Sequence, residues 1–181
     1  MLSNGLSYAN FGKAYLLSER LRVSMLVIIK KAKIEDAKIL TEIQEMTFND
    51  DTQKHLKIKK GGPCGYNSED YQINMIKEYA YYKIIINDLI VGGFILSKIN
   101  KNNVHVNRIY IHPEYQNKGI GKIAFEYMEK NYPDIVKWTL DTPEWAIRNI
   151  YFYESLDYRE VKREYIKEGG FNLVFYEKLI K

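Results

Sequence analysis

The chain is poor in the residues that staple or interrupt a fold. Its 181 residues include one cysteine (Cys64), four prolines and three histidines. A single thiol excludes an intrachain disulfide and any cysteine-rich metal site, and agrees with a reducing, cytoplasmic setting. No His, Asp and Glu spacing argues for a metal, and none is expected. Apolar runs stay short of the roughly 18 residues that a membrane span needs. An excess of one charge is also missing. Lys and Arg number 27 against 23 Asp and Glu, and the lysines are spread along the chain, which argues against a dedicated nucleic-acid surface.

What is present suits one domain with a substantial core, since 46% of the residues are hydrophobic and 28% charged. The repeating pattern of a fold starts only after Met25. Residues 1–24 therefore read as an extension or the product of an upstream start codon, with residues 25–181 as the domain. Lys13, Glu19, Arg20 and Arg22 break any signal-peptide centre, while Tyr15, Leu16, Leu17 and Leu21 fit a short helix docked on the domain.

Leu26 to Lys31 reads as a first strand. Ile34, Ala37, Ile39, Leu40, Ile43 and Met46 follow at helical spacing, with Glu35 and Asp36 in the first turn, where the dipole favours acids. Residues 49–60 are polar and are assigned at most one weak turn. Gly61, Gly62, Pro63, Cys64 and Gly65 form a loop that is either plain connection or a substrate gate. Ser68 is placed to cap a second helix reaching about Lys77, with Tyr71, Met75 and Ile76 on one face. Three strands, Tyr79 to Ile86, Leu89 to Ile99 and Val104 to Ile111, predict an antiparallel meander.

After a glycine-bearing loop, Ile123, Ala124, Tyr127 and Met128 mark the apolar face of a third helix ending near Asn131, before Pro133. Val136 to Asp141 is a fifth strand. Pro143 and Glu144 suit the first turn of a fourth helix carrying Trp145, Ile150, Phe152 and Leu156. Tyr158 to Lys167 and Asn172 to Ile180 close the chain as a hairpin through Gly169 and Gly170.

The loop between Ile111 and the third helix carries the chemistry. The first turn of a helix has backbone N–H groups without partners and the positive end of the macrodipole, so it attracts phosphate. Gly119 and Gly121 remove Cβ atoms where a pyrophosphate would approach, and Lys118 and Lys122 add positive charge. A Walker A loop would need a glycine at Gln116 and Ser or Thr at Ile123, so that reading fails. Gly119, Gly121 and Ala124 fit the dinucleotide pattern G-x-G-x-x-A, with Asp141 about 20 residues on. In that fold, however, the first glycine follows its strand almost directly, and here His112 to Lys118 intervene.

The third template, Q/R-x-x-G-x-G/A after a strand and a short loop, is filled by Gln116, Gly119 and Gly121. Here the sequence resembles the GNAT superfamily of N-acetyltransferases. A second phrase, Phe152-Tyr153-Glu154-Ser155-Leu156-Asp157-Tyr158, resembles the F-Y-E-K-L-G-F that closes a helix in many of those proteins. Asp157 stands where glycine is usual, and Ala146 where an asparagine often touches coenzyme A, with Asn149 the nearest replacement.

The resemblance implies a mixed α/β (α+β) fold, a mostly antiparallel sheet of about seven strands flanked by about four helices. It implies acetyl-CoA as cosubstrate, held by Gln116, Asn117, Lys118, Gly119, Ile120, Gly121 and Lys122, with Asn149 and Phe152 nearby. The backbone of Ile109, Tyr110 and Ile111 would face the thioester oxygen, and Tyr153 would return a proton to the departing thiolate. The acceptor it implies is a primary amine on a small molecule, a peptide N-terminus or a lysine, attacking the thioester directly. Glu78, Glu69, Asp70 and His105 are candidate bases, while His55, His112 and Cys64 suit loop positions without a chemical task. A homodimer is compatible with this reading. The rival is a non-catalytic acyl-CoA-binding or regulatory module of the same fold.

Overall fold

Strands β1 (Val27–Lys31), β2 (Ala80–Ile86), β3 (Leu89–Lys98), β4 (Asn103–Ile111), β5 (Lys137–Pro143), β6 (Arg159–Ile166) and β7 (Phe171–Leu179) form one sheet in the order β1-β2-β3-β4-β5-β7-β6. Every neighbouring pair is antiparallel except β4 with β5. Four α-helices flank the sheet: α1 (Ala37–Leu56), α2 (Glu69–Glu78), α3 (Ile120–Asn131) and α4 (Ile147–Glu154). The structure, a computed structural model, describes residues 26–180. The extension at residues 1–24 and its short helix lie outside the described residues. No helix described is long and apolar enough to cross a membrane.

The sheet separates two cores. Phe94, Phe125, Trp138 and Tyr158 anchor the larger one, under α3 and α4, and Leu40, Ile43, Met75, Tyr81, Ile95 and Tyr110 form the smaller one, under α1 and α2. Asn87 and Asp88, with φ of 49° and 62°, make the tight β2–β3 turn, a conformation those residues tolerate. Asp36 anchors the start of α1. Its carboxylate accepts from Lys33 N at 2.7 Å and from Lys83 Nζ at 2.6 and 2.7 Å.

Strand β4 changes face partway along. Ile95 pairs with Arg108 and Leu96 with Val106, so Asn107 is an extra, unpaired residue, a β-bulge. The bulge keeps Val104, Val106, Ile109 and Ile111 against the larger core while Arg108 and Tyr110 turn to the other face. Pairing of β4 with β5 stops at Val106 and Leu140, although both strands continue. Beyond that point the two strands part.

Three expectations are corrected. Helix α1 does not fade at Asn49 but runs to Leu56. Tertiary contacts hold this polar half, since Asn49 Oδ1 accepts from Gly61 N and Tyr66 Oη, each at 3.0 Å, and the local pair of Asp50 with Lys54 one turn on, at 2.6 Å, adds to them. Pro143 and Glu144 do not open α4. Pro143 ends β5 opposite Leu173, and Glu144 accepts from Asn172 N at 2.8 Å, which leaves α4 to start at Ile147. On α3, Ile123 is exposed while Phe125 is buried, because the buried face is centred on Ile120, Ala124, Phe125 and Met128.

Candidate active site

A cavity of about 390 Å³ opens where β4 ends, between the mouth of α3, the start of α4 and the polar half of α1. The loop that enters α3 shapes one wall. Asn117 and Gly119 both adopt left-handed backbone, φ 59° and 78°, the kind of conformation from which anion-binding backbone nests are built. Gly119 precedes the helix as its cap residue and no side chain caps it. Among the described residues, the backbone N–H groups from Asn117 to Lys122 donate to no acceptor, and the first bond of the helix runs from Ile123 N to Gly119 O at 3.1 Å. Unpaired amides at a helix start, with no Cβ at Gly119, fit a diphosphate.

Gly121 serves a different purpose. A Cβ there would come 2.9 Å from Phe152 Cζ, so the missing side chain lets α4 pack on α3, whereas a Cβ at Gly119 would meet nothing within 4 Å. Lys122 lines the cavity and lies 3.9 Å from Glu126. Lys118 does not line it. Its Nζ sits 5.1 Å from the centre of the Tyr115 ring.

Gln116 acts as a strut. Its Nε2 donates to Ile111 O at 2.9 Å and its Oε1 accepts from Arg148 Nη1 at 2.6 Å, so the loop is tied to β4 and α4 at once. Arg148 Nη2 also donates to Asp51 Oδ1 at 3.0 Å. Neither Arg148 nor Asp51 is named from the sequence, and neither are Thr47, Phe48 and Tyr115, which line the same cavity. No apolar repeat marks residues 47–56, and the signal missed there is a polar helix face with buried Thr47 and Thr52.

The floor of the cavity is the free edge of β4. His112 N donates to Val91 O at 2.8 Å, and antiparallel alternation then turns Tyr110 toward β3 and leaves Ile109 and Ile111 facing the open edge. Ile111 O, on that edge, accepts from Gln116 and from Thr47 Oγ1 at 3.1 Å. Tyr110 borders the cavity, but its hydroxyl lies 2.6 Å from that of Tyr81 in the smaller core.

Asn149, Phe152 and Tyr153 reach the cavity from α4. Tyr153 is buried against Phe125 and Phe152. Burial pushes its phenol well above the ordinary tyrosine range, the negative charges of Asp141 and Asp51 push the same way, and Arg148 opposes them. The hydroxyl therefore stays protonated. Asp157, with φ 67°, closes α4 in the left-handed conformation, and Ala146 is buried at the helix start. Glu69, Asp70, Glu78 and His105 do not line this cavity. Glu78 borders a separate one, and His105 Nε2 faces Asp141 Oδ2 at 3.2 Å.

Residues 77–160 match the family model described as Acetyltransferase (GNAT) domain. A stretch of 74 residues is 39% identical to YrkN, an uncharacterized protein of Bacillus subtilis, and the chain spans 40% of that relative's length, from 40% of its own. The fold is similar to the crystal structure of PaiA N-acetyltransferase from Thermoplasma acidophilum in complex with coenzyme A. That likeness has a TM-score of 0.68 and 20% identity, over 86% of this chain and 100% of that one. It is also similar to YncA of Salmonella typhimurium, a putative acetyltransferase with its cofactor acetyl-CoA, with a TM-score of 0.63 and 14% identity over 86% and 95% of the two chains.

Proposed function

We propose that the protein is an acetyl-CoA-dependent N-acetyltransferase acting on a primary amine, on the ground that residues 77–160 match the GNAT acetyltransferase domain. The observation that carries this reading is the row of unpaired amides from Asn117 to Lys122 at the mouth of α3. The proteins of similar fold solved with coenzyme A and with acetyl-CoA support the same cosubstrate here.

Acetyl-CoA supplies an already activated acyl thioester, so the protein's task is placement, which can be worth about 7 to 11 kcal/mol. In this proposal the amides of Asn117 to Lys122 hold the diphosphate, with Lys118 and Lys122 adding charge. Gln116 holds the loop in register with β4 through Ile111 and with α4 through Arg148. Asn149 and Phe152 flank the cosubstrate. The N–H groups of Ile109 and Ile111, on the free edge of β4 beside Tyr110, are placed to donate to an oxygen that gains charge. Tyr153, kept protonated by burial, holds the proton that the departing sulfur needs. Whether the acceptor is a small molecule, a peptide N-terminus or a lysine depends on the wall that α1 supplies.

The test mixes the protein with acetyl-CoA and a panel of primary amines while free thiol is followed. Amine-dependent thiol release supports the enzyme. Tight coenzyme A binding with no release for any amine identifies a non-catalytic acyl-CoA-binding module instead.

A further inference from the structure

Asp51 is the one carboxylate of α1 that lines the cavity, and the transfer as described has no use for it. It sits on the polar half of the helix and lines the cavity together with Tyr153. Its side chain is only 13% exposed. Oδ1 accepts from Arg148 Nη2 at 3.0 Å, whereas Oδ2 has no hydrogen-bond partner among the described residues. The charged groups around it are Arg148 from α4 and Asp50, Lys54 and His55 from its own helix, with the neutral Tyr153 phenol lining the same cavity. Burial raises its proton affinity, Arg148 opposes that, and Asp50 adds to it. A carboxylate held in this way, with one oxygen fixed and the other free, can both receive a cation and take a proton from it.

We propose that Asp51 Oδ2 receives the acceptor's ammonium group and takes its first proton, which makes Asp51 the general base and restricts the acceptor to primary amines that enter as cations. This rests on the acetyl-transfer reading. One N–H proton passes to Asp51 and on to bulk water, and the freed nitrogen lone pair forms the C–N bond to the acyl carbon. The C–S bond breaks, its electron pair leaves on sulfur, and Tyr153 protonates that sulfur. The second proton lost by nitrogen restores Tyr153 through solvent. The guanidinium of Arg148 positions Asp51 and keeps Oδ1 occupied, so that Oδ2 points to the acceptor.

The experiment compares the wild type with Asp51→Asn and Asp51→Glu. Coenzyme A affinity and amine binding to the coenzyme A complex are measured by calorimetry, and kcat and KM for an active amine are followed from pH 5 to 9. Expected for Asp51→Asn are unchanged coenzyme A affinity, lost amine binding, and a fall in kcat/KM of at least about 100-fold. The acidic limb of the wild-type profile should vanish in Asp51→Asn and return, with part of the rate, in Asp51→Glu. An Asp51→Asn variant that keeps its amine binding and its acidic limb overturns the proposal and leaves Asp51 as a partner of Arg148 alone. A wild type that binds coenzyme A and amine but turns over none overturns the acetyl-transfer reading as well, so the two failures are distinguishable.

Discussion

Arg148 Nη1 donates to Gln116 Oε1 at 2.6 Å, which couples the start of α4 to the loop that opens α3. The same glutamine reaches Ile111 O, so its removal frees the loop from both neighbours. Hydrogen bonds to charged groups contribute about 1.5 to 3 kcal/mol. Gln116→Ala should therefore weaken coenzyme A binding about tenfold or more in a calorimetric titration, with the fold retained by circular dichroism. Unchanged affinity would show that the loop keeps its shape without the strut.

The two glycines of the loop should separate in their effects. At Gly119 a side chain meets nothing but must adopt a φ of 78°, which costs about 1 to 2 kcal/mol, while the amides beside it become crowded. Gly119→Val should lose coenzyme A binding and only a few degrees of melting temperature. At Gly121 the side chain strikes Phe152, so Gly121→Val should lose binding and substantially more stability. Equal melting temperatures for the two variants would contradict the packing role of Gly121.

For Tyr153 the expectation is a loss in turnover with binding spared. Tyr153→Phe should lower kcat about 100-fold at unchanged coenzyme A affinity. Because the phenol pKa is raised, its acid form persists at every pH below the ordinary tyrosine value of about 10, and is lost only above it. The wild type should thus show no alkaline decline from this group below about pH 10. A decline near neutrality that disappears in Tyr153→Phe would contradict the assignment.

Lys83 and Asp36 form a pair whose side chains are 14% and 9% exposed. Removing one partner leaves a buried charge, which costs about 3 to 5 kcal/mol. Lys83→Met should lower stability by that order in chemical denaturation, and adding Asp36→Leu should recover part of it. A loss below about 1 kcal/mol would show that water replaces the lysine.

Much of this architecture was legible because it rests on local signals. The apolar runs of β2 and β3, the cap at Ser68 and the turn at Asn87 and Asp88 are written in neighbouring residues, and Ser68 does accept from Tyr71 N at 3.3 Å. The loop at Gln116 to Lys122 was legible for the same reason. The wall from α1 was not, because residues 47–56 are held helical by distant partners such as Gly61 and Tyr66, which no window of sequence contains. Arg148 and Asp51 were missed with it. The bulge at Asn107 had a faint sign, since Val106 and Ile109 are three residues apart where an even strand would space its apolar residues by two. At Pro143 the local rule for a helix start lost to pairing with β7.

Backbone amide NMR during a coenzyme A titration tests the central claim most directly. The account predicts that the signals of Asn117 through Lys122 shift first and furthest, because those N–H groups acquire a diphosphate as acceptor. Saturable binding that leaves those six amides unmoved while another surface shifts would contradict it.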